Sequence, residues 1–294
     1  MLQFTHSLSL TSRQKAWLMS TALFLLTPTS FVFAQEIPDP IYGVTTDSPW
    51  NYQEHVEALK NLSRVATTRI VFDEYVPATE YRDEIKAIHN VSYVMGEVLD
   101  SFYVKDYSIR AYSTRVREYI KELGDFVDIW EIGNEVNGEW LGSTSDVIHK
   151  ISDAYRQVRA ANGKAALTLY YNKDCWASPR NEMFRWTKKN VPSEIKQGID
   201  YIFVSYYEED CNGLQPDWQM IFDRLGDIFP NAKMGIGEAG TRNKNKKEEY
   251  IRRYYNLEIN HPRYVGGVFW WYFRQDMVPM SKPLWSVFND VIQR

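Results

Sequence analysis

The sequence is poor in histidine and cysteine and carries no excess of positive charge. Its five histidines are scattered, without a His-Glu-x-x-His motif or a histidine pair four residues apart, which disfavours a metal hydrolase. No Gly-x-Ser-x-Gly elbow is present, which argues against a serine hydrolase. No glycine-rich phosphate loop follows the first predicted strand. With a formal net charge of −4, a nucleic-acid partner is a poor fit.

A long apolar run is also missing from the chain beyond its first segment. There, Arg13 and Lys15 precede an apolar stretch that ends in small residues at positions −3 and −1 of a cleavage site after Ala34. This pattern predicts a secretory signal peptide over residues 1–34. The alternative is a membrane anchor, but a Thr-Pro-Thr-Ser break leaves the run too short to span a bilayer. We therefore predict a secreted or periplasmic protein with no stable membrane insertion after cleavage.

Residues 35–294 alternate strand-like and helix-like patterns eight times. Their length is close to the roughly 250 residues typical of one TIM barrel, and eight alternations predict an α/β protein with a single (β/α)8 barrel and short loops. A doubly wound sheet shares the alternation but usually has fewer strands. Predicted strands lie at 41–46, 69–74, 91–97, 126–133, 166–171, 201–207, 233–238 and 267–272, and predicted helices at 51–62, 79–89, 109–123, 145–161, 180–189, 218–228, 246–260 and 282–292.

Two glutamates follow apolar strand patterns in matching contexts. Glu135 comes after the fourth predicted strand and Glu238 ends the seventh. In a closed barrel these strand ends face each other across the mouth, where (β/α)8 enzymes keep their chemistry. One carboxyl can protonate a leaving oxygen while the other attacks the anomeric carbon or activates water, as glycosidic bond hydrolysis requires. The alternative is that the Asn-Glu pair at 134–135 only caps the next helix. Ten tryptophans and twenty tyrosines suit a sugar cleft as well as a packed core.

The chain resembles the clan A glycoside hydrolases, the retaining TIM-barrel superfamily with its acid/base on strand four and its nucleophile on strand seven. Gly133-Asn134-Glu135 resembles the Asn-Glu of strand four, and Gly237-Glu238-Ala239-Gly240 resembles the nucleophile motif of strand seven. The resemblance implies that Glu135 is the acid/base, that Glu238 is the nucleophile and that Asn134 hydrogen-bonds the sugar 2-hydroxyl.

The same resemblance suggests three supporting positions. Arg69 on strand two matches an arginine that keeps the nucleophile ionised, and Tyr207, in Ser205-Tyr206-Tyr207, matches a hydrogen-bond donor to it. Ser205 stands where many members carry histidine. Trp271 or its neighbour Trp270 matches the tryptophan that floors the sugar site. Without the resemblance, Arg69 could equally be an ordinary ion-pair partner and Tyr207 a core residue.

Glu97 and the two cysteines complete the predicted site residues. Glu97 ends the third predicted strand, where some subfamilies have histidine, and we interpret it as a candidate substrate contact. Cys175 and Cys211 follow strands that would be neighbours in a barrel, and export permits a disulfide between them. Two free thiols are the alternative, because a sequence does not give the Cα separation on which a bridge depends.

These patterns together predict an exported, retaining β-glycosidase that hydrolyses O-glycosidic bonds in a poly- or oligosaccharide, without cofactor or metal. Short loops favour an open cleft and endo-acting cleavage. Two alternatives keep the same barrel. One is a carbohydrate-binding protein without catalysis, and the other is a transglycosylase that uses the same two carboxyls with a sugar acceptor.

Overall fold

A computed structural model of the chain describes residues 36–47 and 51–293. It contains eight parallel strands in a closed barrel, each hydrogen-bonded to its neighbours in chain order, with β8 closing on β1. The predicted (β/α)8 barrel is thereby confirmed. The predicted signal peptide lies outside the described residues. The strands are β1 Ile41–Thr46, β2 Thr67–Val71, β3 Tyr93–Glu97, β4 Ile129–Glu131, β5 Lys164–Tyr170, β6 Tyr201–Tyr206, β7 Lys233–Ala239 and β8 Tyr264–Trp270.

Helices cover the outside of the barrel between successive strands. Their apolar faces repeat at helical spacing, which is what a helix packed on a barrel requires. The α-helices in the described part of the chain are α1 Tyr52–Lys60, α2 Arg82–His89, α3 Ile109–Leu123, α4 Thr144–Ala160, α5 Met183–Asn190, α6 Ser193–Gly198, α7 Trp218–Ile228, α8 Lys247–Tyr255, α9 Phe273–Met277 and α10 Pro283–Ile292.

The predicted element boundaries are accurate where a helix is long and amphipathic, and less accurate for β2, β4 and β8. Strand β2 begins two residues before the predicted start, because Thr67 and Thr68 are β-branched residues that are buried in the sheet despite their hydroxyls. Strand β4 is only three residues long, because residues Gly124–Phe126 form a short 3-10 turn before it. Strand β8 starts and ends earlier than predicted.

Two apolar layers hold the barrel together. A large cluster lies between the strands and the surrounding helices, and a smaller one is formed almost entirely by strand residues from six of the eight strands. The smaller cluster includes Ile41, Met95, Ile129 and Phe203. The buried carboxyl residues Glu97, Glu131 and Glu238 lie toward the carboxyl ends of their strands. The barrel is therefore apolar at one end and polar at the mouth, where a site can form.

A disulfide joins the loops that follow β5 and β6. Cys175 and Cys211 are bonded, with their Cα atoms 5.2 Å apart and their positions separated by 36 in sequence. The bridge ties the segment after Tyr207 to the neighbouring loop at the mouth. Separately, no helix within residues 36–47 and 51–293 is long and apolar enough to cross a membrane.

Candidate active site

Arg69 on β2 is the centre of a buried cluster of charges. Its side chain is fully buried and contacts three carboxyls, with Nε 2.6 Å from Oε2 of Glu131, Nη1 2.8 Å from Oε2 of Glu238 and Nη2 2.9 Å from Oε2 of Glu97. Burial acts to lower the pKa of Arg69, but Glu131, Glu97 and Glu238 together raise it above its ordinary value. The guanidinium is therefore a permanent cation beneath the mouth.

Glu238 on β7 is almost fully buried and lies between a cation and a hydroxyl. Oε2 accepts a hydrogen bond from Arg69, and Oε1 accepts one of 2.7 Å from the Tyr207 hydroxyl. The pKa of Glu238 is raised overall, because burial outweighs Arg69 and the Tyr207 hydrogen bond, which both act to lower it. These two partners oppose the effect of burial and favour the ionised carboxylate, which is the form that a nucleophile needs.

Glu135 lies in different surroundings, four residues beyond the end of β4. Its backbone is in the left-handed region with φ 48°, which is uncommon for a residue other than glycine. Ser101 donates to Oε2 at 3.0 Å and Ser205 donates to Oε1 at 2.7 Å. Burial, and then the charge of Glu238, raise the pKa of Glu135 to about 8. The acid form of Glu135 is therefore favoured at neutral pH.

Ser205 on β6 brings the two glutamates to the same point of the mouth. It lies opposite Glu238 in the β6–β7 register and donates to Glu135. The register shifts by one residue between Val204 and Ser205, and the bulge lies in β7 directly before Glu238, where it sets the direction of the Glu238 side chain. The extra residue is Gly237, and a Cβ there would lie 2.5 Å from Cβ of Phe203. Only glycine fits at this bulge without displacing β6.

The two adjacent tryptophans at the end of β8 point to different sides of the barrel wall. Trp271 is partly exposed and its ring lies 5.7 Å from the guanidinium carbon of Arg69. Trp270 is fully buried, and its indole N–H donates to Asp276 at 3.0 Å. Trp271 therefore lies at the candidate site, whereas Trp270 packs between the barrel and its helices.

Asn134 and Glu97 are placed below the surface of the mouth. Asn134 is 2% exposed, and its Oδ1 has no hydrogen-bond partner among the described residues. Glu97 has no exposed surface, and although it lies close to Arg69, neither of its oxygens accepts a hydrogen bond within the described part of the chain. Burial raises the pKa of Glu97 well above its ordinary value. Glu97 lies within ion-pair distance of Arg69. Direct contact between Glu97 and a substrate stays a prediction.

Sequence reasoning missed Glu131 and the role of Ser101. Glu131 makes two hydrogen bonds to Arg69 and accepts a third from Thr168. A charged residue inside an otherwise apolar strand pattern was the available signal for Glu131. Ser101 both donates to Glu135 and accepts from the indole of Trp140 at 3.0 Å. Residues 36–47 and 51–293 contain no group of three or more side chains arranged to hold a metal ion.

Comparisons with known proteins identify the fold. No protein-family model matches the chain, and no curated protein matches it. Solved structures do. Saccharomyces cerevisiae Gas2p in complex with laminaritriose and laminaritetraose superposes with a TM-score of 0.60 at 13% identity, covering 87% of this chain and 64% of that one. The family 1 β-glucosidase from Thermotoga maritima gives 0.56 at 12% identity, covering 80% and 89% of the two chains.

At these identities the likeness shows the fold. The chain shares the (β/α)8 barrel fold with these two proteins, and this is the fold that the resemblance of its strand-four and strand-seven motifs predicts. It spans 64% of the length of Gas2p.

Proposed function

We propose that the chain is an exported retaining β-glycosidase that cleaves O-glycosidic bonds in a poly- or oligosaccharide by double displacement. The observation that carries the proposal is the contrast between the two mouth glutamates. Glu238 contacts a buried cation and a tyrosine hydroxyl, whereas Glu135 contacts two serines and, within residues 36–47 and 51–293, no cation. A carboxyl that contacts a cation, beside one that does not, is an arrangement that separates the nucleophile of a glycosidase from its acid.

The first step uses both glutamates at once. Glu135 gives its proton to the leaving glycosidic oxygen while Glu238 attacks the anomeric carbon and forms a glycosyl-enzyme. In the second step Glu135, now ionised, takes a proton from water, and that water displaces Glu238. Asn134 is assigned to the sugar 2-hydroxyl, and Trp271 to the apolar face of the sugar bound between the carboxyls.

Export is part of the same proposal. The disulfide between Cys175 and Cys211 supports it, because such bonds persist in oxidising compartments. The predicted signal peptide supports it from the sequence side. If a sugar hydroxyl instead of water attacked the glycosyl-enzyme, the same two glutamates would catalyse transglycosylation.

The proposal is tested with a panel of 4-nitrophenyl β-glycosides of glucose, mannose, galactose and xylose, together with laminari-oligosaccharides. Turnover of at least one substrate is expected, with the β-anomer as the first product by proton NMR. A first product in the α configuration would mean inversion. A chain that binds glycans on an array and cleaves none of these substrates would be a carbohydrate-binding protein, and longer products would indicate transglycosylation.

The pH dependence of turnover follows from the surroundings of the two glutamates. The alkaline limb of kcat/KM is expected near pH 8, because Glu135 must keep its proton and its pKa is raised to about 8. In the variant Ser205→Ala, the ionised form of Glu135 loses a hydrogen bond, so its pKa rises and the alkaline limb moves to higher pH.

Tyr207→Phe is the matched comparison, because it removes a hydroxyl from the other glutamate. It should move the acid limb upward, since ionised Glu238 loses a donor. An alkaline limb that moves downward in Ser205→Ala would contradict the assignment of Glu135 as the acid.

A further inference from the structure

Tyr75 is an exposed aromatic residue in an unfavourable backbone conformation. It lies in the loop after β2, its side chain is 72% exposed and its φ is 61°, in the left-handed region. Two contacts with Tyr107 hold it there. The Tyr75 N–H donates to the Tyr107 hydroxyl at 2.7 Å, and the two rings stack with centroids 5.3 Å apart and planes 16° from parallel. An exposed ring held in a strained backbone is an indication of function.

A groove of about 530 Å³ lies beside this ring. Tyr75, Val76 and Pro77 form one wall, and the first turns of α3 form the other. The α3 wall carries the exposed polar side chains of Arg110 and Thr114. The groove therefore combines one flat apolar ring with hydrogen-bonding groups, as a site for a sugar ring does.

Two aromatic residues after β3, together with Glu74, connect the candidate active site to the segment that carries Tyr75. Ser101 donates to Glu135, and the next residue, Phe102, is 57% exposed. Tyr103 packs edge-on against Phe102 with centroids 5.3 Å apart. The Tyr103 hydroxyl lies against the carboxylate of Glu74, which raises the pKa of Tyr103, and Glu74 directly precedes Tyr75 in the chain. We name Tyr75, Phe102 and Tyr103 the aromatic rim.

We propose that the aromatic rim and its groove bind a stretch of a β-linked glycan whose continuation occupies the candidate active site. Aromatic rings offer flat apolar surfaces to the C–H faces of successive sugars, and the groove offers donors to their hydroxyls. The rim starts beside Glu135, the residue that protonates the leaving group. On the proposed function, on which this detail rests, the rim therefore holds the leaving-group side of the chain.

The test measures binding of a polymer and varies the ring alone. Native gels containing laminarin, barley β-glucan, galactomannan or xylan are run with the Glu238→Gln protein, which does not degrade them. In that background, Tyr75→Gly removes the ring while placing glycine at a left-handed position that it tolerates. Tyr75→Phe keeps the ring, Phe102→Ala tests the second exposed ring, and Val65→Ala changes a 59% exposed residue away from the rim.

The expected result is retardation by one polymer, with the dissociation constant raised about ten-fold in Tyr75→Gly and in Phe102→Ala but not in Tyr75→Phe or Val65→Ala. In active protein, Tyr75→Gly should lower the ratio of kcat/KM on that polymer to kcat/KM on an aryl glycoside by a similar factor. Equal retardation of Tyr75→Gly and its parent, or no retardation by any polymer, would overturn the proposal.

The two proposals fail in distinguishable ways. If retardation depends on Tyr75 but the wild-type chain cleaves no glycoside, the proposed hydrolysis is rejected and the rim is supported as a carbohydrate-binding site. If the chain cleaves aryl glycosides but its polymer binding does not depend on Tyr75, the hydrolysis is supported and the rim is rejected.

Discussion

Replacing Glu238 by alanine is expected to lower kcat on an activated aryl β-glycoside by about 10⁴-fold or more, because the nucleophile is lost while the binding groups stay. Azide fits the space left by the carboxylate and needs no acid catalysis when the leaving group is good. Turnover should therefore return with added azide, and the product should be the α-glycosyl azide. The measurement is a rate with and without azide, followed by NMR of the product.

We expect the Glu238→Ala variant to fold, and far-UV circular dichroism checks this directly. Arg69 keeps Glu131 and Glu97 as partners when Glu238 is removed. Glu249→Ala on the exposed face of α8 is the control, and it should retain turnover with no response to azide. Full activity in Glu238→Ala would show that the strand-seven assignment is wrong. A β-glycosyl azide from the same variant would also contradict it.

The second large effect is expected on stability. In the variant Arg69→Met, the free energy of unfolding should fall by at least about 3–5 kcal/mol, the usual effect of removing one partner from a buried ion pair. Three carboxyls would lose their only contact with a cation in the described part of the barrel interior. The free energy of unfolding of native proteins is typically only about 5–15 kcal/mol, so urea unfolding should show this loss clearly.

The control makes the same change at the protein surface. Arg82→Met removes an arginine that is 49% exposed, with Nη1 4.0 Å from Oε2 of Glu122 and donating to the Glu122 backbone oxygen at 2.7 Å, so a loss of about 1 kcal/mol or less is expected. Adding Glu131→Gln to Arg69→Met should recover part of the stability, because it removes the carboxylate that binds Arg69 most closely. Equal urea midpoints for the two single variants would contradict the central role of Arg69.

Glu97→Gln provides an opposite expectation within the same cluster. Burial raises the folded-state pKa of Glu97 above its unfolded value. As pH rises between those two values, the unfolded chain releases a proton that the folded protein keeps, so the wild-type free energy of unfolding falls by up to about 1.4 kcal/mol per pH unit. Glutamine does not titrate. The variant should therefore gain stability relative to the wild type between pH 5 and pH 8 in urea unfolding, and a constant difference would contradict the raised pKa.

Much of the fold could be predicted because each element has a local signal. Helices α3 and α7 are long amphipathic segments, and their predicted bounds match the structure. The predicted β2 starts two residues late because the first two residues of the strand are threonines. A hydrophobic pattern counts threonine as polar, although both side chains are buried. The hydroxyl of one of these, Thr68, forms a hydrogen bond of 2.7 Å with the hydroxyl of Ser92, which directly precedes β3, and no local pattern contains this contact.

The candidate site was predictable at the strand ends and less so below them. The positions of Glu135 and Glu238 follow from strand counting, but the cluster around Arg69 depends on which residues point inward from three other strands. The sequence left the choice between Trp271 and Trp270 open for a similar reason. Inward and outward residues alternate only along a regular strand. Because β8 has positive φ at Gly266, Gly267 and Val268, alternation along its sequence does not tell which of the two tryptophans points inward.

The hydrogen bonds to Glu135 have a consequence for the catalytic cycle. Ser101 and Ser205 each donate to a different carboxyl oxygen, and Ser101 in turn accepts from the indole of Trp140. Because both serines act as donors, neither draws the acidic proton away from the substrate. The same two donors also stabilise the anion left after that proton has gone. On the proposed function, Glu135 would keep the same two donors in its acid and its base form, so neither step would need new hydrogen-bond partners for its carboxyl group.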